Sequence, residues 1–219
     1  MEKKYQVFVS STYEDLKEER LAAINILLDN NCIPVGMEQF PASGLGVMEY
    51  IEKALVDCDY YVLILAGRYG SEDTDEVGFT EKEFDYARTH SIPILVFCCS
   101  NIDSLPACKC EKTDTGREKL KKFREKVLSG TMASLYTSVD DLKAKIATSI
   151  NKAKIDTPRE GWIRASWTDS PQTASEKIVA ELSEELKVLK AEVASQPKIH
   201  VGTEPPETVR NGDLFLQIE

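Results

Sequence analysis

Two carboxylates near the start of a helical pattern, Glu81 and Glu83 in Gly78-Phe79-Thr80-Glu81-Lys82-Glu83-Phe84-Asp85-Tyr86-Ala87, are the side chains here best placed for acid–base or electrostatic chemistry. A carboxylate at a helix entrance that faces a cleft can stabilise developing positive charge or accept a proton. The same spacing has a plain structural use, because Thr80 and Glu83 stand at capping-box distance and acidic residues favour first turns. Ser10-Ser11-Thr12 puts three hydroxyls in a row between a strand pattern and a helix pattern. Hydroxyls there either bind phosphate or ribose oxygens or cap the helix, with Thr12 as N-cap and Asp15 three residues on. Arg68 and Tyr69 follow another apolar strand and are ligand candidates of the same kind. Phe40 lies in Gln39–Gly46, a segment with two glycines suited to a lid or a contact surface. Cys108 and Cys110 form one cysteine pair without a second pair or a histidine at ligand spacing, so no metal site is expected. Neither a Gly-x-Gly-x-x-Gly fingerprint nor a phosphate loop ending in Gly-Lys-Ser/Thr occurs, which leaves dehydrogenase and P-loop NTPase assignments without support.

The elements that must hold these residues can be read from hydrophobic periodicity. Short, nearly continuous apolar runs at Tyr5–Val9, Cys32–Met37, Tyr60–Ala66, Ile92–Cys99 and Met132–Tyr136 predict strands covered on both faces. Helical patterns separate them at Tyr13–Asn30, Val47–Asp57, Thr80–Thr89, Arg117–Leu128 and Asp140–Ala153. Alternation of this kind implies right-handed parallel crossovers and an α/β fold, an open parallel sheet of about five strands with helices on both faces. In the first helix Leu16, Ala23, Ile24, Leu27 and Leu28 are expected to face the core, and Glu14, Asp15, Lys17, Glu18 and Glu19 the solvent. Ligands of such a sheet bind beyond the carboxyl ends of the strands, which singles out the loops named above.

Periodicity fails near Thr157–Gly161 and Asp169–Pro171, so residues 1–168 are expected to form the α/β domain. Residues 169–197 then read as a linker and a C-terminal amphipathic helix, in which Val179, Leu182, Leu186, Leu189 and Val193 repeat at spacings of three and four. Such a seam serves either packing on the chain's own domain or self-association. Residues 198–219 read as a tail or the start of a further module, with continuation past Glu219 expected.

Twenty-seven basic and 37 acidic residues give a net charge of -10, which disfavours nucleic acid and anionic membrane surfaces as partners. The first residues lead into a strand without a signal-peptide pattern, and a cytoplasmic location is expected, with the six cysteines reduced. His90, near a helix C-terminus, suits a favourable end charge better than a base.

The run Val7-Phe8-Val9-Ser10-Ser11-Thr12-Tyr13-Glu14-Asp15-Leu16-Lys17-Glu18-Glu19-Arg20 closely resembles the opening signature of a TIR-like family catalogued as a domain of unknown function. Ala66-Gly67-Arg68-Tyr69-Gly70, Thr80–Ala87 and the strand His90–Phe97 resemble its later signatures, so the likeness covers about residues 4–155. The resemblance implies a flavodoxin-like (TIR-like) version of the sheet. Relatives in the wider TIR and nucleoside-deoxyribosyltransferase group include enzymes that cleave the nicotinamide–ribose bond of NAD with a glutamate at the start of the helix after strand three. That implies Glu83 as the catalytic residue, with Phe84 and Ala87 matching the residues that follow it, and Glu81 as the fallback. Ser10, Ser11, Thr12, Phe40, Arg68 and Tyr69 are then the substrate-binding candidates, with NAD as substrate and no separate cofactor. The resemblance also implies an oligomerising effector or sensor serving antiviral or stress defence, in front of an NTPase or repeat module. Two other expectations stand beside it, a non-catalytic protein-interaction module and a nucleoside or nucleotide base transferase.

Overall fold

The computed structural model describes residues 3–37, 46–164, 171–195, 199–202, 204 and 213–218. Phe40 and most of its segment therefore lie outside the described residues. Two compact units divide the chain, 1–163 and 164–219.

In the first unit, strands β1 (Tyr5–Ser10), β2 (Cys32–Val35), β3 (Tyr60–Leu65), β4 (Ile94–Cys99) and β5 (Ala133–Tyr136) alternate with helices α1 (Lys17–Asp29), α2 (Val47–Val56), α3 (Phe79–Thr89), α4 (Asp114–Gly130) and α5 (Val139–Asp156). The strands form one sheet in the order β2-β1-β3-β4-β5. Every pairing is parallel, with Val7 opposite Pro34 on one side of β1 and Tyr60 on the other. This order, reversing direction between β1 and β3, is that of flavodoxin-like doubly wound folds.

Strand alternation divides the core in two. Val7, Val9, Val62 and Ile64 pack with Leu27 of α1 and Leu142, Ile146 and Ile150 of α5 on one face. Phe8, Tyr61, Leu63 and Leu65 pack with Ile51 and Leu55 of α2, Phe84 of α3 and Phe123 of α4 on the other. All six residues of β3 are buried, as a central strand covered on both faces requires. Cys32, Cys58, Cys98 and Cys99 are buried as free thiols among these groups, whereas Cys108 is exposed.

Three local expectations are corrected. The first helix begins at Lys17, not Tyr13, and Leu16 precedes it without a side-chain cap. Thr12 is buried beneath Gly70, so close that a Cβ on Gly70 would sit 2.8 Å from its methyl group, and the chain turns from Tyr13 to Asp15 before the helix starts. Second, the helix is rotated from its expected phase, with Asp15, Glu19 and Arg20 buried and Leu28 55% exposed. Polar contacts set this phase, since Arg20 Nη1 donates to Val9 O (3.2 Å) and Ser11 Oγ (2.9 Å), and Lys109 lies 3.3 Å from Glu19. Third, α3 begins at Phe79 behind Gly78 with no side-chain cap, which removes the capping-box reading of Thr80 and Glu83.

In the second unit α6 (Pro171–Ser195) precedes a two-stranded parallel sheet of β6 (Ile199–Gly202) and β7 (Leu214–Gln217). Val179, Leu182, Leu186, Leu189 and Val193 of α6 are exposed. No helix among the described residues is long and apolar enough to cross a membrane.

Candidate functional site

Because α1 and α3 leave the sheet on opposite faces, a crevice opens between the carboxyl ends of β1 and β3. Ser10 is the last residue of β1, and Glu83 reaches it from the second turn of α3. The Ser10 hydroxyl donates to Glu83 Oε2, and both side chains are buried, Glu83 to 2% exposure. A cavity of about 460 Å3 lies beside them, lined also by Ser11, Tyr13, Arg20 and Met37. Burial pushes the Glu83 carboxyl up from 4.5 to about 7, against the Ser10 hydrogen bond and the Arg20 charge, which both favour ionisation. Such a group changes charge near neutrality at little cost, as charge-stabilising and acid–base catalysis require.

Ser11, Tyr13 and Met37 also line a second cavity of about 450 Å3, together with Thr12, Asp15, Arg68, Gly70 and Thr80. Asp15 is 2% exposed, and neither carboxylate oxygen has a hydrogen-bond partner, although the Thr12 side chain lies nearby. Burial raises its pKa, with Thr12 and Arg68 pulling the other way. Arg68 donates from Nη2 to Cys108 O (2.7 Å), while its Nε is buried without a partner. Gly70, at φ +96°, lets the β3–α3 loop turn over Thr12.

The structure thus brings Ser10, Ser11, Thr12, Arg68 and Glu83 to one end of the sheet. Tyr69 and Glu81 lie elsewhere. The Tyr69 ring packs edge-on against Phe123 in the core, and its hydroxyl donates to Glu81 Oε2 (2.6 Å) while accepting from Gly78 N (3.1 Å). Glu81 Oε1 is held by Lys126 at 2.9 Å. Both residues brace the start of α3 and so fix where Glu83 enters the crevice. No group of three metal-ligating side chains occurs among the described residues, and the Cys108–Cys110 loop instead packs over Gly67.

Sequence reasoning missed Asp15, which it placed on the solvent side of the first helix, and Arg20, to which it gave no role. The available signal was position. Leu16, Arg20, Ala23 and Leu27 fall at spacings of four, three and four, so Arg20 occupies a core register of α1.

Residues 6–151 match a family model described as Domain of unknown function (DUF4062). Among solved structures, a chain from "Structure of the activated Roq1 resistosome directly recognizing the pathogen effector XopQ (TIR domains)" is similar at 12% identity and a TM-score of 0.36, covering 81% of this chain and 99% of that one. No curated protein matches the sequence. The family match spans well over half of the chain and takes in every element from β1 to most of α5, including Ser10, Asp15, Arg20, Arg68 and Glu83: the protein belongs to the DUF4062 family.

Proposed function

We propose that the crevice hydrolyses the nicotinamide–ribose bond of NAD, with Glu83 as the catalytic carboxylate. The observation that carries this reading is the Glu83 carboxylate itself, buried, hydrogen-bonded to Ser10 and lining a cavity at the switch point of the sheet. Nicotinamide in NAD is a cationic leaving group and departs neutral, so no general acid is needed. As the C1′–N bond breaks, its electron pair leaves with nicotinamide and positive charge spreads over C1′ and the ring oxygen. Ionised Glu83 facing that charge stabilises the oxocarbenium-like centre, as in glycoside hydrolysis. Water then adds to C1′ and releases a proton, giving ADP-ribose. With a pKa of about 7, Glu83 is already partly ionised at neutral pH, and a cationic substrate beside it favours the charged form further. Ser10 and Arg20 hold and charge-match the carboxylate.

Self-association through the exposed apolar stripe of α6 belongs to the same proposal, as the event that concentrates or orders these domains in a defence effector. That stripe also favours a second reading, in which the protein is an association module without turnover. Incubating the concentrated protein with NAD and following free nicotinamide separates the two. The hydrolase reading requires release that Glu83→Gln lowers by roughly 100-fold or more and Glu81→Ala does not. Nicotinamide release absent under crowded conditions, from protein that self-associates, would establish the association module instead. Release of base from deoxynucleosides but not from NAD would assign base transfer.

A further inference from the structure

Asp15 is a buried carboxylate whose two oxygens make no hydrogen bond of good geometry, with only the Thr12 side chain and its own backbone N–H close by, and Arg68 carries a buried Nε without a partner. Both line the same cavity, and Asp15 feels the Arg68 charge, yet no ion pair joins them. A poorly partnered buried ion costs several kcal/mol, and a charge that would relieve it lines the same cavity. The space between them therefore suits a ligand that presents hydrogen-bond donors to one group and an anionic acceptor to the other. The remaining charges on this wall are committed. Glu111 accepts the backbone N–H groups of Tyr69 and Lys112, each at 3.1 Å, and exposed Glu14 pairs with Lys17 at 3.3 Å. Asp15, Lys112 and the part of the Arg68 guanidinium not donating to Cys108 O are left to meet a ligand, beside the hydroxyls of Ser11 and Thr12.

We propose that this second cavity is a binding site for a 5′-phosphorylated ribose, with Asp15 accepting from the vicinal 2′- and 3′-hydroxyls and Arg68 donating to the phosphate. A vicinal diol gives a carboxylate two donors at once, and a guanidinium is the side chain best shaped for phosphate oxygens. The two cavities share Ser11, Tyr13 and Met37, so one dinucleotide spans both, its reacting glycosidic bond at Glu83 and its other nucleotide half between Asp15 and Arg68. This assignment rests on the nucleotide reading of the Glu83 crevice and adds selection to it. Nucleotides are taken in preference to nucleosides, and ribose in preference to deoxyribose.

Calorimetric titration of the full chain with adenosine 5′-monophosphate tests the site without any turnover, because that probe lacks the bond facing Glu83. Adenosine and 2′,3′-dideoxyadenosine 5′-monophosphate are the comparison probes. The wild-type chain is expected to bind the monophosphate roughly tenfold or more tightly than either comparison probe. Asp15→Asn should abolish the preference for the diol but keep that for phosphate, and Arg68→Gln should do the reverse. Thermal melts without ligand check folding, and Asp15→Asn should melt no lower than wild type because it removes an unpaired buried charge. Equal affinity for all three probes, or a diol preference that survives in Asp15→Asn, overturns the proposal. Monophosphate bound as described with NAD left intact keeps the site and removes the hydrolase reading. NAD cleaved equally well by wild type, Asp15→Asn and Arg68→Gln keeps the hydrolase reading and removes the site.

Discussion

Replacing Glu83 by glutamine should stabilise the protein above neutral pH and leave it nearly unchanged in mild acid. In the folded chain the Glu83 carboxyl is raised from 4.5 to about 7, chiefly by burial. For an acid shifted upward, the folded state holds its proton through the interval where the unfolded chain has released it. The stability that proton contributes is complete below pH 4.5 and is lost as pH rises to about 7, after which the curve is flat. A shift of this size corresponds to about 3 kcal/mol at roughly 1.4 kcal/mol per pKa unit. Glutamine keeps the shape and cannot ionise, so it does not carry this loss. Thermal unfolding of wild type and Glu83→Gln at about pH 5 and about pH 8 measures the difference, and the Asp15, Asp73 and Asp141 titrations common to both chains cancel. About 2.5 kcal/mol of the loss falls between these two pH values, so for a unit of this size the variant should gain roughly 5–10 °C over wild type at the higher pH relative to the lower. Parallel curves, with the same gap at both pH values, would show that Glu83 is not held in a water-poor site, and the charge argument for its role would fall with it.

The remaining predictions concern the crevice and the loops that frame it. Nicotinamide release should rise with pH as Glu83 ionises and level off above about pH 7, and Ser10→Ala should move that rise to higher pH because the serine hydroxyl favours the ionised form; kcat/KM profiles of the two proteins decide this. Tyr69→Phe should lower stability by about 1–3 kcal/mol, since it strands Glu81 and the Gly78 amide, while retaining the Glu83-dependent pH profile of turnover. Gly70→Ala should cost about 1–3 kcal/mol in chemical denaturation, because its φ of +96° disfavours a side chain and its Cβ would lie 2.8 Å from the Thr12 methyl. The Asp15→Asn/Glu83→Gln double variant should show near-additive stabilisation at about pH 8, within roughly 0.5 kcal/mol of the summed single effects, because neither carboxylate is among the charges that shift the other. A larger departure in urea melts would mean that the two groups share one electrostatic site.

The sheet was legible in the sequence because β1, β3 and β4 are apolar on both faces and no other element tolerates such runs between amphipathic helices. The helix after β1 was legible in existence but not in phase. Its charged residues look alike in sequence, and only the backbone after Ser10 shows that Arg20 turns back to Val9 O and that Asp15 is enclosed. Glu83 posed the opposite difficulty. Its spacing from Thr80 fits a local cap, and what decides against one is Gly78 starting the helix a residue early, a choice tied to the Tyr69 hydroxyl nine residues back. Tyr69 and Arg68, adjacent in sequence and read together as ligand candidates, point to different places, Arg68 to the Cys108 carbonyl and Tyr69 to Glu81.

Two enclosed carboxylates near the end of β1 are hard to explain as scaffolding. A domain selected only for folding would fill the space beside Ser10 and Thr12 with apolar side chains, since an unpaired buried charge is among the costlier defects a core can hold. Here one carboxylate is held by a single serine with an arginine charge nearby, and the other has no hydrogen bond of good geometry and lines a cavity with Arg68, whose Nε is unsatisfied although its Nη2 donates to Cys108 O. Both are 2% exposed and adjoin buried core residues in sequence, Leu16 beside Asp15 and Phe84 beside Glu83. Rigid surroundings keep the carboxylates from escaping to water, so their destabilisation persists until something positively charged or rich in hydrogen-bond donors enters. Sites that concentrate such cost are where binding energy is recovered, because relief arrives only with the ligand or with the charge formed in its reaction. The placement of that cost at the switch point of a parallel sheet, and not at random in the core, is the physical reason to look for nucleotide chemistry in this protein.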